Sequence, residues 1–138
     1  MSEKIYNDLV KPIDFDGLYA RAFDLAEKAY QKKNGEKSRF FRDEYIRGFI
    51  EGYIASYTVS DYSFIGLLID KGNLDMDEVA SAKETTKEKL EKIIEITNAA
   101  DNKKYMETFA EILPYIDIRV NYQDSAEFFD MLEREHEK

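Results

Sequence analysis

Apolar residues recur at spacings of three and four along most of this chain, a periodicity that predicts helices. Phe15, Leu18, Tyr19, Ala22, Phe23, Ala26, Ala29 and Tyr30 share one helix face; Asp14 or Asp16 can cap that helix. Lys32 and Lys33 suit its negative C-terminal end, and Asn34-Gly35 is a stop signal. Ahead of it, Ile5, Tyr6, Leu9 and Val10 mark one or two helical turns that end before Pro12. From Ser38 to near Thr58 the apolar residues come in adjacent pairs: Phe40/Phe41, Tyr45/Ile46, Phe49/Ile50 and Tyr53/Ile54. Two neighbours per turn make a broad stripe, so this segment is the expected central helix, with Phe49 and Ile50 in the core.

Ser60 or Asp61 then reads as the start of a third helix with Phe64, Ile65, Leu67 and Leu68, ended by Gly72-Asn73. Asp75 with Glu78 has capping-box spacing ahead of Met76, Val79 and Ala80. Thr85 with Glu88 has the same spacing ahead of Leu90, Ile93, Ile94 and Thr97. Asp101 can cap a helix that turns Tyr105, Phe109, Ile112 and Leu113 inward and stops at Pro114; Asp124 or Ser125 can cap a last one around Phe128, Phe129, Met131 and Leu132.

Between those last two helices the period changes. Ile116, Ile118, Val120 and Tyr122 alternate with Asp117, Arg119 and Asn121, which is a strand pattern over 115–122. A lone strand leaves its backbone groups unpaired. It must pair with an extended N-terminal segment, pair between chains, or stand as an extended connector. With no repeat and no linker rich in Gly, Ser or Pro, the expectation is one all-α domain over 1–138, with five to seven helices and room for one short β element near 115–122.

Charge changes the picture more than composition does. The net charge is −9, but residues 1–50 carry ten Lys/Arg against nine Asp/Glu, while residues 51–138 carry ten against twenty. Such a second half argues against nonspecific binding to nucleic acid or anionic membranes; it reads either as a solvated surface that keeps the protein soluble or as a face that docks on a protein partner with a basic surface. The acids Glu127, Asp130, Glu133 and Glu135 on the last helix are the expected contact residues. No run approaches the roughly 18 apolar residues that span a bilayer, so no membrane is expected as a partner. The start, Met1-Ser2-Glu3-Lys4, has no apolar run behind it and predicts no signal peptide. With no Cys, disulfides, thiolate catalysis and Cys-based zinc sites are excluded, which suits the cytoplasm.

Gly48, Gly52 and Ser56 lie four apart on a line of their own. A row of small residues lets another backbone approach closely, either at a tight helix crossing within the chain or at a homodimer seam.

Catalytic, cofactor-binding and metal-binding residues are all expected to be absent. His136 is the single histidine, near the end of the chain, so neither a His-based triad nor a His-rich metal site can be assembled. Phosphate-cradling glycine motifs are missing. Asp75-Met76-Asp77 begins like a calcium loop but has Ala80 and Thr86 where that loop needs Gly and Glu. The most basic stretch, Lys32 to Arg47, interleaves Arg39 and Arg42 with Phe40, Phe41 and Tyr45, a mixture that can contact single-stranded nucleic acid.

Residues 61–94 resemble a helix-turn-helix unit. Leu74-Asp75-Met76-Asp77-Glu78-Val79-Ala80 looks like its first helix, with Ala80 at the small position. Thr86-Lys87-Glu88-Lys89-Leu90-Glu91-Lys92-Ile93 looks like the second helix with its N-cap. Ile69-Asp70-Lys71-Gly72-Asn73-Leu74 followed by Glu78 is also similar to the C-terminal helical tail of Rpn-type transposase-associated nucleases; no nuclease core precedes it. The resemblance implies DNA contact through Lys87, Lys89 and Lys92. It departs from the motif at Glu84, where glycine usually stands, and at Glu88, Glu91 and Glu95, which balance the lysines.

The function expected from this balance is non-catalytic binding of a protein, with a regulatory or inhibitory outcome. Small acidic inhibitors of the anti-CRISPR or anti-defence type share this composition. A helix-turn-helix DNA-binding regulator is the first alternative, and a small-molecule binder or enzyme using Tyr and carboxylates is the second.

Overall fold

A computed structural model describes residues 9–34, 42–100 and 104–136. Every regular element among them is helical: α1 (Phe15–Asn34), α2 (Arg42–Asp70), α3 (Met76–Ala82), α4 (Lys87–Asn98), α5 (Tyr105–Ile112), a 3-10 turn (Leu113–Tyr115) and α6 (Gln123–His136). The protein is all-α, as its periodicity predicts. The expected helix at Ile5–Val10 is described only at Leu9 and Val10, which are helical. The caps and stops at Gly35, Ser38 and Asp101 lie outside the described residues.

The chain, expected as one domain, groups its contacts into two compact units: residues 14–56 with 118–138, and residues 1–13 with 57–117. In the first, α1 and α6 pack through rings. Phe15 meets Phe129 edge-on at 5.3 Å, and Tyr19 meets Phe128 at 5.3 Å. Ala22 and Ala26 continue the buried face of α1, and Leu132 that of α6. Asp14 is the N-cap of α1, its Oδ1 accepting from Gly17 N at 3.0 Å.

In α2 the second member of each apolar pair is the buried one. Ile46, Ile50 and Ile54 are buried, whereas Tyr45, Phe49 and Tyr53 are half-buried, which corrects the expectation that Phe49 is core. Half-exposed Phe49 instead lies 6.4 Å from the Tyr45 ring, one turn back. No new helix begins at Ser60 or Asp61 either, because α2 runs unbroken to Asp70. Neither Gly nor Pro interrupts 53–65, and the buried line continues through Thr58, Tyr62 and Ile65, so the chain has no reason to turn there. It stops where expected, at Gly72-Asn73. Gly72 adopts φ 78°, Gly72 N donates to Ile69 O at 3.0 Å, and Asn73 N donates to Leu68 O at 2.9 Å. That pair of bonds satisfies the last carbonyls of the helix.

In the second unit, α4 packs against α3, α5 and the 3-10 turn. Val79, Ala80, Leu90, Ile93, Phe109, Ile112 and Leu113 are among its buried side chains. Asp75 caps α3 by accepting from Glu78 N at 3.1 Å. The cap of α4 is Thr86 rather than Thr85: Thr86 is extended, and its Oγ1 accepts from Lys89 N at 3.2 Å. Thr85 N is used in the turn, donating to Ala80 O at 3.0 Å.

The 115–122 segment forms no strand. Tyr115 closes the 3-10 turn, Ile116 is extended at φ −97°, ψ 128°, and no ladder forms among the described residues. The extended-connector alternative is the observed one. Side-chain alternation needs only an extended backbone; here the amide hydrogens at its end go to a side chain instead of a neighbouring strand, as the next section shows.

Candidate functional site

The last helix presents its acids to solvent. Ser125, Phe128, Phe129 and Leu132 form its buried face, while Asp124, Glu127, Asp130, Glu133 and Glu135 are exposed and share the rest of its circumference with Gln123, Ala126, Met131 and Arg134. All four residues expected to contact a partner therefore lie on one helix. Gln123 donates to Glu127 at 3.2 Å. Arg134 is the one basic residue among them in sequence.

Where this helix begins, Asp16 caps it from α1. Its carboxylate accepts from Asn121 N at 2.8 Å, from Tyr122 N at 3.4 Å and from the Ser125 hydroxyl. The Ser125 hydroxyl also lies 2.9 Å from Tyr122 O. A carboxylate at the positive end of a helix dipole is favourable. The hydroxyl of Ser125 is the main influence holding the Asp16 carboxyl below its ordinary range; burial opposes it, and the amides of Asn121 and Tyr122 reinforce it. Helix periodicity gave no sign of this role, since Asp16 reads in sequence as a cap for α1. The available signal was a position: Asp16 shares a helix face with Tyr19, Ala20 and Phe23.

Beside this cap an open cleft of about 480 Å³ is lined by Asp16, Tyr19, Ala20, Phe23, Tyr122, Asp124 and Ser125. Tyr19 and Phe23 stack at 6.3 Å with 27° between their planes. Tyr122, on the opposite element, is 70% exposed. Burial raises the pKa of the Tyr19 hydroxyl, and the charges of Asp124 and Glu127 raise it further, so the ring sits in a negative field.

The other unit has its own cleft of about 580 Å³, with Ser63, Phe64, Leu67, Thr97 and Tyr105 in its walls. Tyr57, Phe64 and Leu67 are exposed at spacings of seven and three along α2, and Tyr105 is exposed as well. The same unit holds a buried ion pair that local sequence could not reveal. Lys83 Nζ is 2.8 Å from Asp61 Oδ2 and 5.1 Å from the centre of the Tyr62 ring.

The residues named for nucleic-acid contact are already engaged with acids. Lys87 lies 3.8 Å from Asp77 and 4.0 Å from Glu91, Lys89 lies 3.1 Å from Asp117, and Lys92 lies 3.9 Å from Glu95. Arg42 pairs with Glu27 and with Asp43; Arg39 lies outside the described residues. The turn between α3 and α4 does carry the left-handed residue that the motif needs, at Glu84 with φ 56°. The small-residue stripe meets nothing: within the described residues, no atom lies within 4 Å of a Cβ placed on Gly48 or Gly52. Of the two alternatives, a tight crossing within the chain is not seen at Gly48 and Gly52 among the described residues. It occurs at Gly66, where a Cβ would come 3.0 Å from Ile94 Cγ2.

Among the described residues no helix is long and apolar enough to cross a membrane. No protein-family model, curated protein or solved structure matches this chain.

Proposed function

We propose that this protein is a non-catalytic acidic binding module that docks on a basic surface of a protein partner, with a regulatory or inhibitory outcome. The observation that carries this reading is the solvent arc of α6, where five exposed acids stand against the single base Arg134. Segregated charge of one sign steers a complementary partner and raises its on-rate at low salt. The test compares the intact protein with a variant carrying Glu127→Lys, Asp130→Lys, Glu133→Lys and Glu135→Lys. Both are immobilised and exposed to an extract of the cells that make the protein, and the affinity of the retained partner is then measured at low and moderate salt. Weaker binding by the variant and at higher salt is expected. Binding that ignores both changes would show that these acids only solvate the helix.

The helix-turn-helix reading keeps one observation in its favour, the left-handed Glu84 between buried Ala80 and the Thr86 cap. Against DNA contact stand the acid partners of Lys87, Lys89 and Lys92. Tight binding to duplex DNA with a steep salt slope would reverse that balance.

A further inference from the structure

The cleft at the start of α6 combines three things that a flat cation uses: aromatic faces, a free carboxylate and a rigid backbone. Tyr19 and Phe23 supply adjoining faces one turn apart on α1, and Tyr19 is held in place by its 5.3 Å contact with Phe128. Tyr122 supplies the opposite wall. Its ring is exposed while its backbone is tied at both ends, the N–H donating to Asp16 and the carbonyl accepting from Ala126 N. Asp124 lines the same space, is exposed, and makes no ion pair among the described residues. Asp16 also lines it, but its oxygens are occupied by Ser125, Asn121 and Tyr122, so it contributes field and not a ligand. The raised hydroxyl of Tyr19 reports the same field, set partly by Asp124 and Glu127.

An anion would meet the carboxylates of Asp16 and Asp124 here. A neutral apolar group would leave Asp124 uncompensated. An ammonium would satisfy the charge but leave the ring faces poorly used. A guanidinium stacks on aromatic faces and offers a planar fork of donors to a carboxylate, so it uses both. Clefts of a few hundred Å³ with convergent polar groups are of ligand-binding size.

We infer that the Tyr19–Phe23–Tyr122–Asp124 cleft is a socket for an arginine side chain presented by the protein partner. The inference rests on the reading of α6 as a docking face: the acids attract a basic surface, and the socket selects arginine within it.

The experiment titrates the full chain with nona-arginine, nona-lysine and nona-citrulline peptides, following backbone amides by NMR. Citrulline keeps the shape of arginine without its charge. Nona-arginine is expected to shift Tyr19, Phe23, Tyr122 and Ser125 and to bind several-fold more tightly than nona-lysine at equal salt, with nona-citrulline silent. Tyr122→Ala and Asp124→Asn, both at exposed positions, are each expected to lower nona-arginine affinity by about tenfold. Glu133→Lys with Glu135→Lys is expected to weaken the arginine and lysine peptides alike. Equal affinity for the arginine and lysine peptides overturns the socket, as does binding unchanged in both Tyr122→Ala and Asp124→Asn. The two readings fail separately. Loss in Tyr122→Ala without loss in the charge-reversed variant removes the docking face and keeps the socket. The opposite pattern keeps the face and removes the socket.

Discussion

Lys83 and Asp61 form an ion pair with only 2% and 13% of their side chains exposed, and the ammonium also faces the Tyr62 ring. Removing one partner of a buried pair strands the other. Lys83→Met is expected to cost about 3–5 kcal/mol, whereas the double change Lys83→Met with Asp61→Leu recovers most of it. Urea denaturation of the single and double variants measures the difference. A double variant as unstable as the single one would contradict the pair's role.

The two buried carboxylates pull acid stability in opposite directions. Asp16 has a depressed pKa, so its contribution is present above the ordinary value of 3.8 and is lost as pH falls through the lower folded value. Asp61 is the reverse. Burial raises its pKa, with Lys83 opposing, so the folded chain holds that proton more tightly than the unfolded chain does. Its ionisation therefore costs stability, and the cost is relieved as pH falls from the raised value toward 3.8. Denaturation across pH 7 to about 3 should show a smaller acid loss in Asp16→Asn than in wild type. Asp61→Asn should show a larger one. Parallel curves for all three proteins would refute the assignment.

Within α2 the paired stripe is unequal. Ile50→Ala is expected to cost about 2–5 kcal/mol, since Ile50 is almost fully buried. Phe49→Ala should cost clearly less, because its ring is only partly buried. Chemical denaturation of each variant decides it; a larger loss at Phe49 would place the core on the other line.

The glycines of α2 divide the same way. Gly48→Ala and Gly52→Ala meet open space and are expected to gain about 0.4–1 kcal/mol each. Gly66→Val should lose stability against Ile94. If Gly48→Ala and Gly52→Ala destabilised the protein in a concentration-dependent way, that line would be a seam between two copies.

Local order in sequence made α3, α4 and the end of α2 legible. Asp75 and Gly72 act on backbone groups three residues away, a range that spacing patterns report, and the cap of α4 falls at Thr86, one residue past the Thr85 that its capping-box spacing suggests. The reading failed where a side chain is used at long range. Asp61 resembles a cap in sequence, yet its carboxylate serves Lys83, 22 residues on, so the helix passes through it. The alternation at 116–122 resembles a strand, yet its terminal amides go to Asp16, 105 and 106 residues back. The acids of α6 were legible as charge, but the aromatic cleft beside them joins two distant helices and has no short-range signature.

The bond between Asp16 and Ser125 also sets an order of events at the ribosome. Its two ends are 109 residues apart, and the whole of 57–117 is synthesised between them. At ordinary elongation rates the carboxylate of Asp16 waits roughly 5–20 s for its hydroxyl. The residues 57–117 form a continuous stretch and can close while that wait lasts. The unit that bears the acidic helix is therefore the last to be completed, and until then the rings of Phe15 and Tyr19 have no α6 to cover them.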